Sequence, residues 1–227
     1  MAFVVFEGGE AGGKSTQLNL LNDALCNLGK NCLVTREPGG TPLAENIRQI
    51  FKAVPEHGDA PLPLTELALV MAARAQHFEK VIRPALQQKK WILCDRFLDS
   101  SYVYQCYKGG VKKAVADSFA GAILNETIPD LTIVFSVSVK VSRERILKRN
   151  EKLTLNGLAP MADRLDSFDD AAFQILENGY QWLVNEKVPY PCGKVPIRVL
   201  IDGNKPVTEV QNDINNAIFA HLKLNIN

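Results

Sequence analysis

Gly8-Gly9-Glu10-Ala11-Gly12-Gly13-Lys14-Ser15 puts a lysine and a hydroxyl directly behind a glycine-rich turn. That order fits G-x-x-x-x-G-K-[ST], a cradle for phosphate oxygens. Glycines let backbone N–H groups turn inward, the helix that follows presents its positive end, and Lys14 reaches the terminal phosphates. Residues Gly8 to Thr16 are therefore the candidate nucleotide-phosphate site, with Ser15 offering its hydroxyl to Mg²⁺. A second group of the same kind is Asp95-Arg96-Phe97, at the end of the apolar run Trp91–Cys94. A carboxylate at the C-terminal end of a core strand is placed to hold Mg²⁺ through water. Ser15 and Asp95 are the candidate metal ligands, and Arg96 should face the same crevice. The plainer reading is an Asp–Arg pair that closes a turn.

Two further arginines stand where an anion could be received. Arg36 lies in Thr35-Arg36-Glu37-Pro38-Gly39-Gly40-Thr41, just after the expected second strand. Arg74 lies in Ala72-Ala73-Arg74-Ala75-Gln76, inside an apolar helical stretch. A buried charge needs a partner, either a carboxylate such as Glu37 or a substrate. A guanine-specific NKxD motif is absent, which argues against a GTPase.

These residues need a scaffold with several strand ends on one edge. Phe3–Phe6, Cys32–Thr35, Trp91–Cys94, Leu131–Val137 and Ile197–Ile201 read as buried strands, without apolar/polar alternation. Between them the expected helices are Ser15–Leu28, Leu43–Phe51, Leu64–Gln88, Lys112–Asn125, Val141–Arg149, Ser167–Val188 and Val207–Leu224. Strands alternating with helices imply an α/β architecture, a five-stranded parallel sheet flanked by helices. Pro55–Pro63, Glu151–Ala162 and Pro189–Pro196 read as connections.

The chain has 227 residues and is expected to form a single domain, 1–227. Lys plus Arg (26) nearly balances Asp plus Glu (25), which argues against nucleic acid held by bulk positive charge. No apolar run is long enough to span a bilayer, and Met1–Glu7 has no basic stretch of a secretory leader. Five cysteines without metal-ligand spacing suggest reduced thiols packed as small hydrophobes. The expectation is a soluble cytoplasmic protein without membrane partners. His57, His77 and His221 have no triad-like setting and read as structural or solvated. Trp91 and Trp182 read as core or interface residues.

F-E-G-G-E-A-G-G-K-S-T, T-R-E-P-G-G-T, A-A-R at residue 74 and D-R-F-x-x-S-S-x-x-Y-Q together resemble the bacterial-type thymidylate kinase family. The likeness runs from Val4 to about Tyr180, with a weaker match at Ile201-Asp202-Gly203. It implies a P-loop NTPase fold of the nucleoside monophosphate kinase type, a homodimer, and transfer of a phosphoryl group from ATP to dTMP with Mg²⁺. By resemblance, Glu10 lies near the acceptor sugar, Arg36 and Arg96 clamp the acceptor phosphate, and Arg74 reads the thymine edge. Pro38, Ser100, Ser101 and Gln105 fall among the substrate contacts. The phosphate loop has no arginine, so the resemblance implies a lid, about 143–166, that supplies one. Arg143, Arg145, Arg149 and Arg164 are the candidates, with Arg149 and Arg164 taken as catalytic beside Lys14, Asp95 and Arg96. The helix Leu64–Gln88 is the expected dimer element.

The chain departs from the family pattern in places. Val70 stands where an aromatic ring usually stacks on the pyrimidine, with Phe97 or Tyr102 as replacement rings. Cys106-Tyr107-Lys108 replaces glycines after Gln105, Ser136 stands near a usual aspartate, and the lid is long through Leu153–Met161. Two rival readings are a kinase for another nucleoside monophosphate or a deoxynucleoside, and a non-catalytic nucleotide-binding protein. The second would be expected to lack Lys14, Ser15 or Asp95.

Overall fold

The computed structural model describes residues 1–54, 58–156 and 164–226. Strands β1 (Phe3–Gly8), β2 (Cys32–Arg36), β3 (Trp91–Asp95), β4 (Leu131–Ser136) and β5 (Arg198–Asp202) form one parallel sheet in the order β2-β3-β1-β4-β5. β1 is central and buried along its length. Its side chains alternate, so Phe3 and Val5 enter one core while Val4 and Phe6 enter another on the opposite face. Both faces therefore need helical cover, as all-parallel sheets do.

Helices α1 (Lys14–Asn27), α2 (Pro42–Lys52), α3 (Pro63–His77), α4 (Arg83–Gln87), α5 (Leu98–Ser101), α6 (Lys113–Leu124), α7 (Val139–Leu155), α8 (Asp170–Asn185) and α9 (Val207–Leu222) supply it. α1 packs Leu18, Leu21 and Leu25 beside Ile214 and Ile218 of α9 in one core. Leu67 and Met71 of α3 and Leu176, Tyr180 and Leu183 of α8 belong to the other. Because the strands are parallel, Gly8, Arg36, Asp95, Ser136 and Asp202 end on one edge. Strand order reverses direction about β1 there, and a crevice opens where ligands bind in such sheets.

All five expected strands and the alternating architecture are present; the differences lie in detail. β2 and β5 are sheet edges and only partly buried, with Val34 and Leu200 exposed, so they are not the fully buried strands expected. The expected helix Leu64–Gln88 is interrupted by one π turn, Phe78–Ile82. Pro84 has no N–H to give the preceding turn, and a loosened ladder accommodates it. Leu98–Ser101 and the π turns Tyr102–Lys108 escaped the sequence reading because Leu98, Asp99, Ser101, Tyr102, Val103, Tyr104 and Gln105 are all buried. A run buried at nearly every position from Leu98 to Gln105 has no amphipathic period to find. α7 runs on through Leu155, so the start of the expected loop 151–162 is helical. Residues 157–163 of that loop and of the expected lid, and His57, lie outside the described residues. Among the cysteines, Cys94 packs as expected, whereas Cys26 is exposed.

Candidate active site

The phosphate loop leaves β1 at Gly8, whose φ of 137° suits glycine alone and where a Cβ would lie 2.7 Å from the Phe135 carbonyl oxygen. The loop closes onto Gly13, φ 95°, ahead of the first turn of α1. Lys14 folds over it, its Nζ donating to the carbonyls of Gly8 (3.1 Å) and Gly9 (2.6 Å). Burial and the nearby Arg96 bring the Lys14 ammonium down to about 8. The Ser15 hydroxyl donates to Asp95 Oδ2 at 3.1 Å. Asp95 Oδ1 is buried and has no hydrogen-bond partner among the described residues. A hydroxyl and a carboxylate with an unsatisfied oxygen are hard donors that fit Mg²⁺, an ion that takes few protein ligands and keeps phosphate and water for the rest.

Arg96 follows Asp95 in a left-handed backbone conformation, φ 68°. A non-glycine residue holds such a conformation only when its surroundings impose it, and they do. Nη1 donates to Gly8 O (2.9 Å), Ser100 Oγ (3.2 Å) and Tyr180 Oη (3.1 Å), and Nη2 to Glu10 Oε1 (2.5 Å). Beneath it the fully buried Glu7 accepts from the amides of Phe97 (2.7 Å) and Ser100 (3.1 Å) and from the Ser100 hydroxyl (2.6 Å). Burial, then the Asp99 charge, push the Glu7 carboxyl up to about 7. Burial also works to raise Glu10, but Arg96, Lys14 and Lys52 outweigh it and hold Glu10 at about 2.

Two clefts meet at this point. One, with an empty volume of about 470 Å³, is lined by Glu10, Pro38, Arg74, Arg96, Ser100, Ser101 and Gln105, all candidates from the sequence. The other, about 1380 Å³, is lined by Glu10 to Thr16, Asp95, Arg96, Arg145 and Arg149. Glu10, Arg48, Lys52 and Arg96 line both. Gly8 and Gly9 stand behind the second cleft, where their carbonyls hold Lys14.

Arg36 and Arg164 are not brought to either cleft. Arg36 pairs with Glu45 at 2.9 Å with half its side chain exposed, because β2 is the sheet edge and its last side chain turns outward. Arg48 stands where Arg36 was expected, its Nη1 held by the Pro38 carbonyl at 2.9 Å. From sequence it lies unremarked within the expected helix Leu43–Phe51. The available signal was Thr41-Pro42, an N-cap that starts α2 on the active edge and turns one face of it inward. Arg164 pairs with Glu66 at 2.7 Å and covers the Phe51 ring. Arg143 is tied to Asp170 and to the Phe168 carbonyl. Arg145 and Arg149 face the larger cleft, held by the Gly203 carbonyl (2.8 Å) and Asp166 (2.5 Å) respectively.

Arg74 is buried, and its partner is Glu37, Nε to Oε2 at 2.7 Å. It still lines the smaller cleft beside Val70 and Phe97. Tyr102 does not replace the missing ring, since its hydroxyl is turned to Asp117 at 2.6 Å; Phe51 and Tyr104 are the other aromatic side chains lining the cleft. Ser136 donates to Glu177, which accounts for its polar side chain at the end of β4.

The family model for thymidylate kinase matches residues 6–188. The chain is 42% identical to a thymidylate kinase of Alcanivorax borkumensis over 178 residues, covering 78% of this chain and 80% of that protein. It is 38% identical to a thymidylate kinase of Pseudomonas fluorescens over 218 residues, covering 95% and 94%. Its fold superposes on the crystal structure of thymidylate kinase from Ehrlichia chaffeensis with a TM-score of 0.70 at 26% identity, covering 96% of this chain and 98% of that one.

Proposed function

The chain belongs to the thymidylate kinase family and phosphorylates dTMP, and on that premise we propose how its own residues carry the transfer from ATP. The smaller cleft takes dTMP and the larger one takes ATP, and the observation that carries this division is that Arg48 and Arg96 line both where they meet. Phosphoryl transfer asks the protein mainly for positioning and charge neutralisation. Arg96, fixed by its bonds to Gly8, Ser100 and Tyr180, holds the acceptor phosphate in line, and Arg48 binds it from α2. Glu10 occupies Arg96 Nη2 until the phosphate arrives and then turns to the sugar. The phosphate is already an anion at neutral pH, so no strong base is needed.

On the donor side, the loop amides and Lys14 take the β- and γ-phosphates, and Arg145 and Arg149 cover the transferring group. Ser15 and Asp95 would hold Mg²⁺, which would neutralise phosphate charge. Arg74 faces the thymine edge, with Ser101 and Gln105 beside it. Val70 leaves the cleft without a ring at that place, and Phe97 supplies one. Helix α7, which carries Arg145 and Arg149 over the larger cleft, is the described part of the lid that excludes water from the donor, on a single domain of 1–227.

The protein is further proposed to be a cytoplasmic homodimer. Exposed Leu62 and Leu64 at the start of α3, with Ile50 on α2 and Phe119 on α6, support the pairing surface. Light scattering at micromolar concentration should give twice the chain mass; a monomer would dismiss it. Among the described residues no helix is long and apolar enough to cross a membrane. The activity is tested by ADP release with ATP, Mg²⁺ and a panel of dTMP, dUMP, UMP, dCMP and thymidine. Turnover is expected to be strongest with dTMP, and equal turnover across the monophosphates would refute the assignment of Arg74 and Phe97 to the base.

A further inference from the structure

Behind the smaller cleft lies a fully buried histidine that does not itself line it. His77, at the last position of α3, sits 2.7 Å through Nε2 from Thr35 Oγ1 and 3.0 Å through Nδ1 from Glu37 Oε1. Glu37 Oε2 accepts from Arg74 Nε at 2.7 Å. Arg74 then donates through Nη1 to Ser101 Oγ (3.1 Å) and through Nη2 to the Phe97 carbonyl (2.8 Å). The four side chains Thr35, His77, Glu37 and Arg74 form one buried chain from β2 to the cleft. Space for the ring is reserved by Gly40, where a Cβ would fall 2.3 Å from His77 Cδ2.

We infer that His77 is a positioning residue for the acceptor site, fixing the guanidinium of Arg74 through Glu37 so that it presents one orientation to the nucleobase. The inference rests on the reading of the smaller cleft as the dTMP site. Planar guanidinium and carboxylate groups prefer a bidentate pair. His77 occupies Oε1, which leaves Glu37 a single oxygen for Arg74. Were Oε1 released, it would turn to Nη2, close the second bond and draw Nη2 away from the Phe97 carbonyl. The face of Arg74 offered to the base would then rotate. Burial alone would raise Glu37, but Arg74 and His77 hold it below the ordinary carboxylate range, so it is an acceptor on both oxygens. A carboxylate can only accept, so Nδ1 carries the hydrogen of the Glu37 bond, and Nε2 pairs with the Thr35 hydroxyl. Thr35 sets the ring plane and is the outer end of the chain.

The test is steady-state kinetics of the full chain with both substrates varied. His77→Phe keeps a ring but loses both bonds. Loss of a bond to a charged partner corresponds to roughly a ten-fold rise in KM for dTMP, with KM for ATP and kcat within about two-fold. His77→Asn carries an amide nitrogen near the position of Nδ1 and should recover most of the lost affinity, whereas His77→Gln should not. Thr35→Val, which preserves shape, is the second variant should His77→Phe fold poorly, and it should raise KM for dTMP two- to three-fold, on the order of one neutral hydrogen bond. Equal losses in kcat and both KM values, with no recovery by asparagine, would overturn the inference and leave His77 a core residue. Arg74→Ala with an unchanged KM for dTMP would instead overturn the acceptor-site reading itself, and the inference with it.

Discussion

At the scale of single residues, the acceptor phosphate is assigned to Arg96 and Arg48 by where their backbones place them. Arg48 is held by the Pro38 carbonyl and borders both clefts. Charge-assisted bonds of this kind are worth about 1.5–3 kcal/mol, so Arg48→Ala should lower kcat/KM for dTMP by roughly ten- to a hundred-fold. Arg36→Ala should stay within about three-fold, because exposed pairs such as Arg36–Glu45 contribute little. Initial rates on the two variants decide between them, and the reverse ranking would return the phosphate to Arg36. Lys14 gives a second expectation. It must be charged to hold phosphates, and in the free protein burial and Arg96 bring it to about 8. The profile of kcat/KM for ATP, which reports the free enzyme, should therefore fall as pH rises through about 8. A flat profile to pH 10 would contradict the buried setting of that ammonium.

At the scale of elements, the lid arginines separate by which neighbours hold them. Arg145 and Arg149 lie on α7 one turn apart and face the donor cleft. Arg164 lies beyond the helix and is spent on Glu66 and the Phe51 ring. Arg145→Ala and Arg149→Ala should lower kcat while KM for dTMP holds. Arg164→Ala should lower the melting temperature and leave kcat of the folded protein within about three-fold, since it breaks a mostly buried pair. Turnover lost only in Arg164→Ala would reverse this division. The same contrast shows what could be read in advance. The phosphate loop, Asp95-Arg96 and the five strands follow from local order, namely glycine spacing, β-branched runs and a charge at a strand end. Arg36 against Arg48 could not be settled that way, because which of the two enters the cleft depends on β2 lying at the sheet edge and on α2 starting at Thr41. His77 reads from sequence as structural or solvated and is buried, but its bonding was not legible, for a related reason. Its partners are 42 and 40 residues away, at Thr35 and Glu37, and no spacing along the chain announces them. A charge in an apolar helical stretch pointed to Arg74 and to Glu37 as one possible partner; the packed structure shows that pair made and a histidine behind it.

At the scale of the whole molecule, the site is a cluster of buried charges that the sheet must hold in place at some cost. Asp99 of α5 is tied to Arg198 of β5 by two bonds, at 2.7 and 2.8 Å, which joins the floor of the acceptor cleft to the far edge of the sheet. Its charge adds to burial in pushing Glu7 to about 7. The unfolded Glu7 gives up its proton near the model-peptide range, around 4.5, while the folded protein keeps it. Between these values the folded state binds more protons, so stability is fully present below about 4.5 and is lost as pH rises through about 7. A shift of this size corresponds to roughly 3 kcal/mol at most. Glu10 acts in the opposite sense. Held at about 2, it contributes stability above about 4.5 that is lost as pH falls towards 2. The two limbs together place the stability maximum in the weakly acid range rather than at the isoelectric point. Melting temperatures between pH 5 and 8 should decline in the unaltered protein, and Glu7→Gln, which cannot titrate, should flatten that limb while leaving the acid limb in place. The same downward slope in both proteins would mean that Glu7 does not titrate in that range, its donors at Phe97, Ser100 and Tyr180 outweighing its burial.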